Sequence, residues 1–239
     1  MVSESGFTSG GSLLHDRRYA VFDSDGKLVN GKSDPAVHRL RTGFDAGFDT
    51  VRFTDERAVS PMYDLHTHRI RIDAYLSGYF GRNVTLLEDT SGKFLDDPLQ
   101  SQVTIVSTAS LETVAEHFDL PLEECRRRFR ANIEIDGVPP FWEEQLVLPG
   151  KQPVHFSVGE VSFIGVKPCP RCVVPSRNPY DGEPVRGFQK SLSELRKETL
   201  PQWSPLASYG NFYQLSVSCR TESPHGRIRS GDPLRRRSG

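Results

Sequence analysis

The chain has 239 residues, of which 36% are hydrophobic, and its 30 basic and 31 acidic side chains give a formal net charge of −1. This length allows one large or two small globular domains, and the balanced charge indicates neither a nucleic-acid-binding nor a membrane-binding surface. No apolar run approaches the roughly 18 residues that span a bilayer, and the first residues lack the pattern of a secretory signal. Four cysteines are too few for a disulfide framework. We therefore expect a cytoplasmic protein.

Short runs rich in β-branched residues, several of them alternating in polarity, predict a chain built mainly of strands. The predicted strands are Arg18–Asp23, Thr50–Phe53, His68–Asp73, Asn83–Glu88, Val103–Ser107, Ala131–Ile135, two between Val154 and Val166, and Phe212–Cys219. The pair Asp25-Gly26 follows the first strand and predicts a tight hairpin turn. On the strand 68–73, His66 and His68 would share one face and are interpreted as surface residues.

Three segments predict helices. In the first, Ser110 can cap a helix whose apolar residues recur at helical spacing. The second, Pro121–Phe129, has proline at its start and basic residues at its end, and the third is Ser191–Thr199. The polar segment Asp89–Gln102 is the predicted join between two parts of the chain. The elements together predict a mainly β fold with a few helices.

A pair of cysteines three residues apart, Cys169 and Cys172, follows the apolar strand that ends at Val166. A thiol at a strand end can point into a site, and Arg171 beside it would favour the ionised sulfur. One such pair is a poor zinc site, because structural zinc needs four ligands, and the surrounding βαβ pattern of a thioredoxin-like pair is missing. The residues alone leave a metal ligand and an ordinary thiol as alternatives for Cys172.

Several further short motifs follow one another along nearly the whole chain. They are Leu14–Tyr19, Leu76–Gly81, Val106–Leu111, Arg128–Ile133, Phe141–Glu144, Cys169–Cys172 and Ile228–Pro233. In this order and at this spacing they resemble the MOSC domain proteins, which include the amidoxime-reducing molybdenum enzymes of bacteria and mitochondria. The resemblance implies a MOSC-type β-barrel fold, with an N-terminal β-barrel-like region over residues 1–98 and the MOSC domain over residues 99–236.

The resemblance also implies a cofactor, the molybdenum cofactor (molybdopterin with Mo), and makes Cys172 both the metal ligand and the catalytic residue. Molybdenum favours a soft anionic ligand such as thiolate. Arginine suits the phosphate of the pterin, because its guanidinium group donates two parallel hydrogen bonds. The expected cofactor-binding residues are Arg17, Ser107, Thr108, Arg130, Asn132 and Arg171. For Arg17, a surface ion pair with Asp16 is the alternative. Asn132, next to Arg130, could orient the site, and a turn at the strand edge explains it as well.

The remaining candidates receive supporting roles. Cys169 is interpreted either as a thiol that supports the metal ligand without binding the metal or as a buried thiol, and Cys125 and Cys219 are interpreted as core residues. Glu143 and Glu144 match an acidic pair of the family and are predicted to support the structure.

The implied activity is a two-electron reduction of small N-hydroxylated compounds. No cysteine cluster for an iron–sulfur centre follows the MOSC motifs, so an external electron donor, ferredoxin-like or cytochrome-type, is expected. The alternative is a non-catalytic module that binds or carries the cofactor or its sulfur. The chain begins after the "YP-K-S" element of the family, and we therefore expect the N-terminal region to lack its first strand and to bind the cofactor weakly.

Overall fold

The computed structural model describes residues 2–94, 97, 99, 101–147, 153–204 and 210–237. These residues form four β-sheets with four α-helices and three short 3₁₀ helices around them. The predicted fold class, mainly β with a few helices, is confirmed. Among the described helices, none is long and apolar enough to cross a lipid bilayer.

The N-terminal part contains two three-stranded sheets, one α-helix and the 3₁₀ helix Pro35–His38. Its elements are β1 (Glu4–Ser5), β2 (Tyr19–Asp23), β3 (Leu28–Val29), β4 (Arg41–Phe44), β5 (Thr50–Thr54), β6 (Tyr63–Asp64), α1 (Arg69–Phe80) and β7 (Val84–Glu88). The sheets have the orders β3-β2-β7 and β4-β5-β6, and both are antiparallel. Helix α1 buries Ile72 and Leu76 against Val51, Phe53 and Val84 of these strands.

The segment predicted as the strand His68–Asp73 is instead the first part of α1, so that prediction was wrong. The Asp64 carboxylate accepts hydrogen bonds from the backbone N–H groups of His66 and Thr67 (2.9 and 2.7 Å), which turns the chain before the helix. Ile72 and Leu76, four residues apart, form the buried stripe, whereas Ile70 is 86% exposed. His66 and His68 therefore lie in the turn and at the helix N-terminus rather than on a strand face.

The C-terminal part is organised around a six-stranded sheet of order β14-β10-β11-β12-β8-β9. Its elements are β8 (Val103–Ser107), α2 (Thr108–His117), α3 (Leu122–Phe129), β9 (Ile133–Ile135), β10 (Val154–Val158), β11 (Val161–Pro170), α4 (Phe188–Glu198), β12 (Gln214–Thr221), β13 (Ile228–Arg229) and β14 (Leu234–Arg236). Only β8 and β9 pair in parallel among these described strands, and α2 and α3 form the crossover that a parallel pair needs. Strand β13 pairs with β1.

Two apolar cores flank this sheet. Helices α2, α3 and α4 pack on one side, and on the other Phe156 and Phe163 stack with ring centroids 5.4 Å apart. Both phenylalanines are fully buried, and each such burial stabilises the fold by about 1.5–3 kcal/mol. Gly165 lies where a Cβ atom would be 1.7 Å from the Leu146 carbonyl oxygen, so only glycine lets the 3₁₀ helix Trp142–Leu146 approach the sheet.

Helix α2 begins earlier than the sequence predicts. Its cap is Ser107, whose hydroxyl accepts the N–H of Ser110 (3.1 Å), and the prediction of Ser110 as the cap was wrong. Ser110 is fully buried, and its hydroxyl accepts the N–H of Phe141 at 2.6 Å. This contact joins α2 to the 3₁₀ helix that carries Glu143 and Glu144.

Candidate functional site

The Cys172 thiol lies just beyond the end of β11. The pairing of β11 with β12 is irregular between Pro168 and Pro170, and Arg171 N–H donates to the Tyr213 carbonyl (3.0 Å) as the strand ends. Cys172 is exposed, Cys169 is half-buried, and neither forms a disulfide. An irregularity of this kind re-aims the side chains that follow it. The structure thus presents Cys172, rather than Cys169, to a ligand.

The two other cysteines are core residues, as predicted. Cys125 and Cys219 are fully buried. Burial raises the pKa of Cys125 to about 11 and raises the pKa of Cys219 as well, so both thiols stay protonated at neutral pH.

Arg171 fixes the strand end that carries Cys172. Its Nε and Nη2 atoms donate to the Leu215 carbonyl (2.9 and 2.6 Å), and its Nη1 atom donates to the Phe129 carbonyl (3.1 Å). The guanidinium carbon also lies 5.5 Å from the centre of the Phe129 ring. All three guanidinium nitrogens therefore have protein acceptors, and the arrangement favours a supporting role over the direct cofactor contact that the sequence predicts.

Arg17 and Arg130, the two arginines expected to hold the cofactor, both have left-handed backbone conformations, with φ of 50° and 49°. Arg130 ends α3, where its N–H donates to the Arg126 carbonyl at 2.8 Å. Residues other than glycine are strained in the left-handed region by about 1–3 kcal/mol, and such strain concentrates at functional sites. Arg17 is exposed and, within the described part of the chain, makes no hydrogen bond and no ion pair, including none with Asp16.

Asn132 connects the segment around Arg17 to the central sheet. Its Oδ1 atom accepts hydrogen bonds from the backbone N–H and the hydroxyl of Thr104 (3.0 and 2.9 Å), and its Nδ2 atom donates to the Asp16 carboxylate at 2.9 Å. Asp16 and Asn132 are 116 residues apart in the chain. The structure therefore brings two of the sequence motifs, Leu14–Tyr19 and Arg128–Ile133, into direct contact.

Ser107 and Thr108 lie where β8 meets α2, as predicted, but their hydroxyls are engaged within the protein. Ser107 is fully buried and caps the helix, and Thr108 donates to the Glu134 carboxylate at 2.9 Å. Glu134 also receives two hydrogen bonds of 2.8 Å from Arg126, which lower its pKa. Contacts of Ser107 or Thr108 with an anion would therefore come from backbone N–H groups at the start of α2.

The positive charges of three arginines act on His38, one from the neighbouring Arg41 and two from Arg130 and Arg177, which are distant in sequence. Burial lowers the pKa of His38, and the positive charges of Arg177, Arg130 and Arg41 lower it further. Arg130 thus shares the surroundings of His38 with two further arginines, which suits an anionic ligand. His38, Arg41 and Arg177 were missed by the sequence reasoning. Only the position of Arg177, five residues after Cys172, gave any signal.

Tyr213 was also missed, and it lies beside Cys172. Burial raises the pKa of Tyr213 to about 12, and the neighbouring Cys172 contributes to this shift. Its hydroxyl oxygen is buried and has no hydrogen-bond partner of good geometry among the described residues. The Ser176 hydroxyl is close but donates to the Val173 carbonyl (2.7 Å). A buried hydroxyl without a partner is uncommon and marks a place where a further ligand would gain a hydrogen bond.

The acidic pair Glu143 and Glu144 is buried, in agreement with the predicted supporting role. Glu144 forms an ion pair with the fully buried Arg196, whose guanidinium carbon lies 3.5 Å from the centre of the Phe141 ring. Burial raises the pKa of Glu143. Neither of its carboxyl oxygens has a partner of good geometry among the described residues, although the hydroxyls of Ser107 and Ser110 lie nearby.

The chain belongs to the MOSC domain family, which matches residues 89–235. The resemblance noted in the sequence is thereby confirmed. The match begins inside the predicted join Asp89–Gln102. The proposed boundary between residues 98 and 99 stays a prediction, and position 98 lies outside the described residues.

Two curated relatives are molybdenum cofactor sulfurases of nematodes. The protein of Caenorhabditis briggsae is 26% identical over 110 residues, which cover 46% of this chain and 14% of that protein. The protein of Caenorhabditis elegans is 26% identical over 117 residues, which cover 49% of this chain and 15% of that protein. The match thus spans a small part of these relatives.

Two solved structures are similar at low identity. YiiM from Geobacillus stearothermophilus aligns over 58% of this chain and 55% of its own, with 13% identity and a TM-score of 0.39. The YuaD protein from Bacillus subtilis aligns over 98% of this chain and 97% of its own, with 14% identity and a TM-score of 0.31.

Proposed function

We propose that this protein binds the molybdenum cofactor through the Cys172 thiolate and reduces small N-hydroxylated compounds by two electrons. Membership of the MOSC family and the names of the curated relatives support an association with this cofactor. The observation that carries the proposal is the exposed Cys172 thiol, which Arg171 fixes at a strand end next to the basic end of α3.

The donor set fits a cofactor that brings its own sulfur ligands. Among the described residues, no group of three or more His, Cys, Asp or Glu side chains could hold a metal ion. A metal here would need ligands beyond the protein, and one thiolate would complete the set that a dithiolene provides. Arg17 and Arg130 are the residues that would hold the phosphate, and Arg41 and Arg177 add positive charge near Arg130.

In the proposed mechanism, the bound cofactor would supply the redox-active centre at which the N–O bond is reduced. Cys172 would hold the metal, and Arg171 keeps the strand end in place. The Tyr213 hydroxyl is buried beside Cys172 and has no hydrogen-bond partner of good geometry among the described residues, and it would orient a polar group of the ligand by hydrogen bonding. For each N–OH group, two electrons and two protons give one N–H group and one water molecule.

The electrons come from a separate donor, which we propose to be a ferredoxin-like or cytochrome-type protein. We place the reaction in the cytoplasm. Neither a nucleic acid nor a membrane takes part in it.

A second candidate is a non-catalytic carrier of the cofactor or of its sulfur. The curated relatives favour it, because both are molybdenum cofactor sulfurases and align with this chain over 110 and 117 residues. A carrier would use the same Cys172 and the same arginines, so geometry alone does not separate it from a reductase.

The test combines a metal assay with a turnover assay on one preparation. The protein is purified from cells that make the cofactor, its molybdenum is measured per chain, and an amidoxime is added with a chemically reduced dye as donor. The proposal expects bound molybdenum and conversion to the amidine. Bound molybdenum without conversion, together with transfer of the cofactor to a cofactor-free acceptor enzyme, would favour the carrier. No molybdenum above the level of the Cys172→Ser variant would contradict both candidates.

A further inference from the structure

The hydrogen bond between Asn132 and Asp16 holds the residue that precedes Arg17. Thr104 donates two hydrogen bonds to the Oδ1 atom of Asn132, and a backbone N–H can only donate. This fixes the orientation of the amide, so the Nδ2 atom must face Asp16, to which it donates at 2.9 Å. Both the Oδ1 and the Nδ2 atoms of Asn132 therefore have partners within the protein.

A second contact holds the same turn from the N-terminal part of the chain. The ring of His15 stacks on the ring of Phe48, with centroids 4.1 Å apart and planes inclined by 10°. Both residues have left-handed conformations, with φ of 67° and 57°. His15 and Asp16 are thus both fixed, whereas the Arg17 side chain that follows them is exposed and unpaired within the described part of the chain.

We propose that Asn132 and Asp16 are positioning residues whose hydrogen bond holds the strained turn that presents Arg17 to the anionic part of the ligand. Asn132 then acts through Asp16. This differs from the sequence-based expectation, in which Asn132 touches the cofactor directly. The identity of the ligand rests on the proposed function. The role of the hydrogen bond in ordering the turn does not depend on it.

The test exchanges the two partners in the full-length protein. In Asn132→Asp two carboxylates face each other, so the bond is lost and like charges repel. In Asp16→Asn the amide oxygen still accepts from Asn132. In the double variant, Asp16→Asn with Asn132→Asp, the new amide donates to the new carboxylate, while Thr104 keeps its acceptor. Because a lost polar contact corresponds to about a tenfold or larger change in an equilibrium, trypsin cleavage after Arg17 should rise about tenfold in Asn132→Asp alone.

Cleavage is measured by mass spectrometry after short digestion, without cofactor. The double variant should return to the wild-type rate, and Phe48→Ala, which releases the turn from the other side, should also raise cleavage. Tyr79→Phe is the matched control, because it removes a 2.8 Å hydrogen bond to Ala36 elsewhere in the N-terminal part. Failure of the double variant to restore the Asn132→Asp defect would overturn the inference.

Molybdenum retention gives the second readout. The content should fall in Asn132→Asp and recover in the double variant. If Asn132 touched the phosphate directly, the carboxylate in the double variant would repel it, and retention would stay low while cleavage recovered. That result would also overturn the positioning role. If wild type holds no molybdenum, the proposed function fails, and the cleavage rates still decide whether the hydrogen bond orders the turn.

Discussion

Replacing Arg130 by glycine should give a more stable protein than replacing it by alanine, and both changes should weaken cofactor binding. Arg130 has a φ of 49°, and its N–H bond to the Arg126 carbonyl (2.8 Å) does not depend on the side chain. A left-handed residue with a Cβ atom costs about 1–2 kcal/mol, which glycine avoids. Glycine in turn lowers the free energy of unfolding by about 0.5–1 kcal/mol, because its unfolded state is more flexible. The free energy of unfolding with glycine at this position should therefore exceed that with alanine by about 0.5–1 kcal/mol.

The comparison of Arg130→Gly with Arg130→Ala isolates this effect, since both variants lose the same side chain. Denaturant unfolding should show the glycine variant to be more stable, with a melting temperature about 1–4 °C higher for a chain of this size. Both should retain the cofactor about tenfold less well, because each loses a charge-assisted contact with the phosphate.

Asp119 provides the control for Arg130. It has a φ of 50°, it is exposed at the end of α2, and it belongs to no candidate site. Asp119→Gly and Asp119→Ala should show the same stability gap with full cofactor retention. Equal stability of the two Arg130 variants would refute the strain argument, and full retention in both would remove Arg130 from the cofactor site.

Three further predictions concern buried and titrating groups. Burial raises the pKa of Glu143, so its contribution to stability is present below its ordinary pKa and is lost as pH rises through the folded-state pKa. In urea unfolding, Glu143→Gln should therefore stabilise the protein more at pH 8 than at pH 5. The difference should be about 1.4 kcal/mol per unit by which the pKa is raised. The lowered pKa of His38 makes stability fall as pH drops below the ordinary histidine range, and His38→Gln should reduce that fall when unfolding is compared at pH 7.5 and 5.5. Arg196→Ala leaves Glu144 buried without its partner and should cost about 3–5 kcal/mol in the same assay, and a change below 1 kcal/mol would contradict the buried ion pair.

Local signals in the sequence predicted most of the strands and helices. Val103–Ser107 begins with four consecutive β-branched residues, and Pro121–Phe129 carries proline and basic residues at the correct ends, so both were found where the structure has them. The segment His68–Asp73 alternates in polarity over six residues and was taken for a strand. A helix formed there because the turn at Asp64 and the four-residue spacing of Ile72 and Leu76 outweigh that alternation.

The candidate site was only partly predictable, because much of it depends on contacts between distant segments. The position of Cys172 at a strand end follows from a local motif. In contrast, the contact of Asp16 with Asn132 and the influence of Arg130 and Arg177 on His38 depend on how the two parts of the chain pack. No local pattern encodes them. The left-handed conformation of Arg17 and Arg130 was equally hidden, since arginine gives no signal of the kind that glycine gives.

The most direct test of the central claim is the molybdenum content per chain of wild type, Cys172→Ser and Cys169→Ser, purified in parallel from cells that make the cofactor. The account predicts that Cys172→Ser loses the metal or changes its spectroscopic signature while the fold, followed by circular dichroism, survives. Cys169→Ser should keep most of its molybdenum, because its half-buried thiol lies within β11 rather than beyond the strand end. Equal loss in both variants, or full metal content with an unchanged spectrum in Cys172→Ser, would contradict the assignment of Cys172 as the metal ligand.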